Sequence, residues 1–429
     1  MSKVACPAIL VSSIASGQGK TTVTAALARF HRNQGRRVRV FKTGPDFIDP
    51  RFLQAASGRR VFNLDLWMVG AAQSKALLYK AACNSDLILV EGSMGLYDGT
   101  PSAADLACEF GIPVAAVIDA GAMAQTFGAV ARGLKSYRDI PFAGVIANRV
   151  ASANHASMLA ESVPADIRLL ASLPKSGASF PERHLGLVQA AELRDLDDKL
   201  NQLAQMVAQS GLTALPDPVE FVPSDVTRPE RLSGRPVLAV ARDAVFSFIY
   251  PANLLCLINQ GVKLRFFSPL ADEPIPPADA LYLPGGYPEL HAVTLGSNRR
   301  WTDSVRSFAA AQKPIYAECG GMMALFETIT TIDGVEHAMA GLLPGRTAMR
   351  GRLSALGLQS LALDQGELRG HTFHYSELET PLEPALRCVP QRSGKGEAVY
   401  RSGSITASYL HAYFPSSPAA AASLLFGSR

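Results

Sequence analysis

Between the apolar run Ala8–Ser12 and the amphipathic segment Thr21–Gln34 lies Ala15-Ser16-Gly17-Gln18-Gly19-Lys20-Thr21-Thr22. A strand that runs through a glycine-rich loop straight into a helix is the opening unit of a parallel α/β sheet. Ala8–Ser12, Val38–Phe41, Leu87–Val90, Val114–Ile118 and Gly144–Ala147 continue as short apolar strands. Amphipathic segments such as Ala122–Tyr137 fall between them, which predicts a doubly wound sheet.

Around Leu215–Pro236 the texture changes. Pro216, Pro218, Pro223, Pro229 and Pro236 punctuate a polar stretch, which reads as a linker. After it the pattern restarts with Val237–Ala241, Leu264–Phe267, Ala280–Leu283 and Ile315–Ala317. Ala398–Arg401 and Ile405–Tyr409 follow as antiparallel-looking strands. The expected plan is therefore a P-loop domain over 1–215, a linker over 216–235 and a second α/β domain over 236–429. No internal repeat or low-complexity tract interrupts it.

Composition narrows the function classes. The net charge of +4, with no long basic run, does not suggest nucleic-acid binding. Val4–Ile14 is too short to span a bilayer and runs into the glycine loop, so no membrane partner is expected. Six scattered cysteines without a CxxC pair point to reduced thiols in a cytoplasm and away from structural zinc.

The loop supplies what a nucleotide triphosphate needs. Gly17 and Gly19 let backbone amides approach the phosphates, Lys20 reaches the outer oxygens, and Thr21 offers a hydroxyl to Mg²⁺, with Thr22 beside it. Ile14 stands where the usual pattern has its first glycine. Downstream, Phe41-Lys42-Thr43-Gly44-Pro45-Asp46-Phe47-Ile48-Asp49-Pro50 sits at the carboxyl end of a strand, where open α/β sheets bind ligands. Asp46 and Asp49 are candidates for Mg²⁺ or substrate, with Asp46 taken as the metal ligand. Lys42 is a candidate to neutralise a transferring phosphoryl group. An Asp in such a loop is, taken alone, more often a cap or turn former. Glu91, ending the strand of Leu89-Val90-Glu91-Gly92-Ser93-Met94-Gly95-Leu96-Tyr97-Asp98-Gly99, stands where a Walker-B type acid reaches the metal. Asn148 could read adenine, and a turn asparagine is the equal alternative.

A second signature lies in Ala317-Glu318-Cys319-Gly320-Gly321. A cysteine on a sharp strand-to-helix turn is an exposed nucleophile, and a helix start beside it favours thiolate. Leu283-Pro284-Gly285-Gly286-Tyr287-Pro288-Glu289 ends another strand. The amides of Gly285, Gly286 and Gly320 are candidates for the oxyanion hole of an acyl intermediate. The base should be a histidine. His411, in Ser408-Tyr409-Leu410-His411-Ala412-Tyr413-Phe414, competes with His371 and His374, and spacing does not choose among them.

With "KTGPDFIDP", "VEGSMGLYDG", "YLH", "RDAVFSFIYPANL" (Arg242–Leu254) and "RGHTFHYSEL" (Arg369–Leu378), the chain closely resembles the cobyrinic acid a,c-diamide synthase family over essentially its whole length. The resemblance implies an ATP-dependent amidation domain similar to dethiobiotin synthetase, followed by a class I glutamine amidotransferase domain of flavodoxin-like fold. It implies ATP and Mg²⁺ as cofactors, and L-glutamine and a corrin polycarboxylate as partners. The corrin would be cobyrinic acid or its cobalt-free form, with Phe47 and Ile48 as candidates for positioning the ring and apolar packing as their alternative. It assigns the glutaminase histidine to His411. Many such domains carry Glu two residues after that histidine. Tyr413 stands there instead, as in the cobyrinic acid branch, and leaves the third triad member unassigned. A homodimer is left open. The alternatives are a related synthase that amidates several other corrin carboxylates, and a P-loop switch ATPase with an inert C-terminal module.

Overall fold

The computed structural model describes residues 2–427 apart from 178, 179, 181, 184, 185 and 188–191. The chain divides into two compact units, Met1–Val226 and Thr227–Arg429. Both are α/β, as the alternation predicts.

In the first unit the strands are β1 (Val4–Ser13), β2 (Val38–Thr43), β3 (Phe62–Leu64), β4 (Leu87–Glu91), β5 (Val114–Asp119), β6 (Phe142–Val150) and β7 (Leu169–Pro174). They pair in parallel in the order β3-β2-β4-β1-β5-β6-β7. Alternate side chains leave the sheet on opposite faces. Leu10, Ile88, Val90, Ala116 and Ile118 join one buried cluster with helices Ala71–Ala82, Ala103–Phe110 and Thr126–Ser136. Val11, Leu87, Leu89, Ala115 and Val117 join another with α1 (Lys20–Asn33), α2 (Asp49–Ser57) and helix Leu196–Ser210. Two-sided burial explains why these strands are nearly continuous apolar runs.

Local signals start the helices. Ala103–Phe110 carries a capping box between Ser102 and Asp105. Before α2, Asp46 Oδ1 accepts from the amides of Ile48 (2.8 Å) and Asp49 (3.2 Å), and Pro50 follows inside the first turn.

The expected linker is not wholly irregular. Its segment Pro218–Phe221 pairs antiparallel with Val4–Pro7, the part of β1 that precedes its parallel ladder with β4 and β5. A short extended segment can satisfy an exposed stretch of strand even when prolines flank it.

The second unit repeats the principle. Lys263–Phe267, Val237–Ala241, Ala280–Leu283, Ile315–Glu318 and Ile405–Ser408 form a parallel series in that order. Ala398–Ser402 and Leu386–Arg387 extend it antiparallel. Between residues 328 and 390 lie further short strands that the sequence reading did not resolve. The hairpin Ala355–Leu363/Gly366–His374 is the longest, and it carries the strand His411–Ala412 on its edge. No helix among the described residues is long and apolar enough to cross a membrane.

Leu10 sits at the centre of the first sheet with no exposed surface. Leu10→Ala should lower the unfolding free energy of that unit by about 2–5 kcal/mol, read as a shifted urea midpoint.

Candidate functional sites

The phosphate loop leaves the carboxyl end of β1 and enters α1 with Gly17 at φ +78° and Gly19 at φ +91°. Gly19 has a second reason to lack a side chain. A Cβ there would lie 2.4 Å from Asn148 Nδ2. Asn148 donates that nitrogen to Gln18 O at 2.9 Å, so it braces the loop from β6. Lys20 is buried and donates to Ser13 Oγ (2.9 Å) and Ala15 O (3.0 Å). Burial, followed by repulsion from Lys42, pulls its pKa down to about 8. Thr22, on the first turn of α1, is half-buried.

Lys42 and Glu91 are direct partners in the parallel ladder of β2 and β4. Lys42 Nζ lies 2.8 Å from Glu91 Oε1 and 2.7 Å from Asp49 Oδ2, with Asp46 Oδ2 farther at 3.6 Å. Thr21 Oγ1 donates to Glu91 Oε1 (2.7 Å) and approaches Asp49 Oδ2 (3.2 Å). Burial opposes the Lys42 charge, but the carboxylates outweigh it and hold the pKa well above its ordinary value. Asp46 behaves differently. Burial and the neighbouring Asp49 push its carboxyl up to about 8. It closes the turn before α2, while Asp49 joins Thr21 and Glu91. The spacing of the two acids, three residues apart, could not reveal which one faces the loop.

Phe47 and Ile48 separate. Ile48 packs against the α1/α2 face of the core, whereas Phe47 is half-buried and outside that cluster. No cluster of three or more His, Cys, Asp or Glu among the described residues forms a ready metal cage. One oxygen does await a partner: the buried Glu91 Oε2 has no hydrogen bond.

The second unit gathers another set. Cys319 follows strand Ile315–Glu318 and precedes a single helical turn, Gly320–Met323. Its backbone stands at φ +43° and ψ −110°, a strained conformation for a residue with a side chain. A Cβ on Gly285 would lie 2.2 Å from His411 Cε1, 2.9 Å from His411 Nδ1 and 3.4 Å from Cys319 Cβ. Thus Gly285, Cys319 and His411 converge on one point. Gly286 fits only as glycine, since its Cβ would fall 1.7 Å from Val245 O. The Gly320 amide faces the Cys319 sulfur.

The structure separates the three histidines. His371 is the cross-strand partner of His411, and the rings stack with centroids 5.0 Å apart. Tyr250 OH lies 3.0 Å from His371 Nδ1, and burial pulls His371 down to about 3. His374 stacks on Tyr409 and places Nε2 3.1 Å from Glu397 Oε1. His411 is the one that shares the Gly285 approach with Cys319.

Electrostatics corrects one expectation. Burial, then the charges of Glu289, Glu397 and Glu318, pushes the Cys319 thiol far up, while the Gly320 amide only partly opposes this. A helix of one turn has too small a dipole to overcome such burial. Burial also holds His411 well below its ordinary value. Both directions favour thiol and neutral imidazole over thiolate and imidazolium.

Sequence reasoning passed over Glu318. This carboxylate is 1% exposed, accepts from Tyr282 OH (2.7 Å) and the Ala412 amide (3.0 Å), and lies 3.9 Å from His411 Nδ1. Burial raises its carboxyl to about 8, and the donors Tyr282, the Ala412 amide and Tyr316 pull against that shift towards the carboxylate. Its position beside Cys319 was visible, but its partners lie more than 30 residues away in the chain.

Comparison with known proteins joins the two sets of residues. Residues 9–187 match the CobQ/CobB/MinD/ParA nucleotide binding domain, and residues 237–419 match the CobB/CobQ-like glutamine amidotransferase domain. The chain is 56% identical over 428 residues to the hydrogenobyrinate a,c-diamide synthase of Stutzerimonas stutzeri, covering 98% of each chain. It is 53% identical to that of Pseudomonas aeruginosa, over 100% of this chain and 99% of the other. It is 54% identical to the cobyrinate a,c-diamide synthase of Herminiimonas arsenicoxydans, over 96% and 95%.

Removing Lys42 would strand buried carboxylates. Lys42→Met should destabilise the first unit by about 3–5 kcal/mol, measured by chemical denaturation.

Proposed function

The chain belongs to the family of hydrogenobyrinate and cobyrinate a,c-diamide synthases, and on that premise we propose a division of chemistry between its two units. It is a glutamine-dependent, amide-forming ligase with a nucleotide-binding domain. The substrate is a corrin acid whose a and c acetate carboxylates become amides. We favour hydrogenobyrinic acid, the acid named for the Stutzerimonas stutzeri and Pseudomonas aeruginosa relatives, over the cobyrinic acid named for that of Herminiimonas arsenicoxydans.

In the second unit Cys319 is the nucleophile. The observation that supports this best is its convergence with His411 on Gly285. A neutral His411 accepts the thiol proton as Sγ attacks the glutamine side-chain amide. The amides of Gly285, Gly286 and Gly320 are assigned to stabilise the oxyanion. His411 returns the proton to the leaving nitrogen, ammonia departs, and water hydrolyses the thioester to glutamate.

In the first unit a corrin carboxylate oxygen attacks the γ-phosphorus of ATP, and ADP leaves. Ammonia then displaces phosphate from the acyl phosphate and leaves the amide. Gly17, Gly19, Lys20 and Thr22 cradle the phosphates, and Asn148, the candidate to read adenine, holds the loop through Gln18 O. Lys42 is placed to follow charge from its carboxylate partners to the transferring group. The residues fit Mg²⁺ through Thr21, Glu91 and Asp49, because Glu91 Oε2 is buried without a hydrogen bond. Asp46, the acid expected at the metal, is instead engaged through Oδ1 at the α2 start, with Oδ2 3.6 Å from Lys42. Bound there, the ion would neutralise phosphate charge. Of the two apolar candidates to meet the corrin we favour Phe47, since Ile48, equally half-buried, packs against the α1/α2 core. Six free cysteines fit a reducing cytoplasm.

The inert-module alternative loses its ground once a strained cysteine and a histidine share one glycine-lined point. The multi-amidation alternative differs in the number of amides made.

Cys319→Ala should abolish glutamine-dependent synthesis and leave synthesis from free ammonia intact. Loss of both activities would defeat the two-site reading. Mass spectrometry of the product should show two amides added, and more than two would favour the multi-amidation synthase. Running hydrogenobyrinic and cobyrinic acid in parallel decides the ring. Chelation with EDTA should stop ammonia-dependent synthesis, and added Mg²⁺ should restore it.

A further inference from the structure

We propose that Glu318 supplies the carboxylate missing after the histidine, as a positioning residue for His411. The inference rests on the glutaminase reading of Cys319 and His411. A histidine base needs a partner at its far nitrogen. That partner fixes the tautomer and balances the imidazolium that forms when the thiol proton arrives. Two residues beyond His411 stands Tyr413, which is buried and packs edge-on against Tyr250 at 5.5 Å. It cannot balance an imidazolium as a carboxylate would.

Glu318 reaches the right atom by another route. It ends the strand Ile315–Glu318, one residue before the nucleophile. Strand alternation sends consecutive side chains to opposite faces. Tyr282 and Tyr316 lie in one buried cluster of this sheet, and Ala317 and Cys319 lie in the other. Glu318 joins the tyrosine side, where Tyr282 OH holds Oε2. The amide of Ala412, the residue after His411, holds Oε1. The carboxylate is thus tied to the histidine's own strand, with Oε2 3.9 Å from Nδ1. That gap exceeds a hydrogen bond, as catalytic contacts commonly do before substrate binds.

The other nearby acids are placed differently. Glu397 receives Thr372 Oγ1 (2.8 Å) and faces His374 Nε2 (3.1 Å). Glu289 acts on the Cys319 side and is half-buried. With Glu318 ionised, the form that its donors Tyr282 OH and the Ala412 amide favour, Nδ1 directs its proton at the carboxylate and Nε2 is left as the acceptor for the thiol proton. The proton moves from Sγ to Nε2 and then to the departing ammonia. Glu318 neither gains nor loses a covalent bond.

Glu318→Gln keeps the shape and an acceptor for the Ala412 amide. It should lower the glutaminase kcat by about 10²- to 10⁴-fold. KM for glutamine should stay within about threefold, and ammonia-dependent synthesis should be unchanged. Glu318→Asp should recover part of the lost kcat. In a His411→Ala background, Glu318→Gln should remove little more, because the two act as one unit. A full kcat in Glu318→Gln, or additive losses in the double variant, overturns the assignment. Should Glu318→Gln also lose ammonia-dependent synthesis through misfolding, ¹⁵N-histidine NMR of the unmodified protein decides. The His411 signals, identified by their loss in His411→Ala, should show Nδ1 protonated, and an Nε2-protonated ring overturns the proposal. Glutamine hydrolysis surviving in Cys319→Ala would instead defeat the glutaminase reading itself.

Discussion

Parallel pairing is the constraint on which the rest of the molecule depends. In each unit it brings the carboxyl ends of neighbouring strands to one rim. Ser13, Lys42, Glu91 and Asn148 stand in the final residues of β1, β2, β4 and β6. Leu283, Glu318 and Ser408 end three parallel strands of the second sheet, and the Gly285 loop, Cys319 and His411 follow them. Side chains far apart in the chain become neighbours because the ladder registers them. Lys42 and Glu91 meet as ladder partners 49 residues apart.

The two rims treat buried charge in opposite ways. The first pairs its charges: one ammonium lies within 2.8 Å of two carboxyl groups, with a third, Asp46, farther off and pushed up by burial and Asp49. The second suppresses charge. Its thiol is pushed up and its imidazole down by burial, both towards the neutral form. A site for polyanions can hold countercharges ready. A site that must deliver one proton to a leaving group is better kept neutral until substrate arrives.

Much of this was legible in the sequence where the signal is local. The glycine-lysine-threonine loop, the acid ending β4 and the cysteine turn each occupy consecutive residues, and strand-end position gives them meaning. What was hidden depends on direction and distance. Asp46 and Asp49 share a loop, and only the turn geometry sends one to the α2 amides and the other to Thr21. His371, His374 and His411 separate only when the hairpin Ala355–Leu363/Gly366–His374 folds against the strand His411–Ala412. The thiolate expectation left out helix length and burial, which run against it and are not visible in sequence. The prolines near 218 concealed a strand because an edge pairing tolerates them.

Lys20 and Lys42 are both held in the interior of the first unit, and each feels the other. Two ammonium groups confined this way act as a counter of charge. Lys42 is already matched by carboxylates, but Lys20 has only a hydroxyl and a carbonyl oxygen. A visiting anion therefore finds in Lys20 the one of the two ammonium groups that no carboxylate touches. Discrimination begins with charge, before the shape of any base or sugar is felt. A nucleoside brings Lys20 no partner, and a phosphate oxygen does.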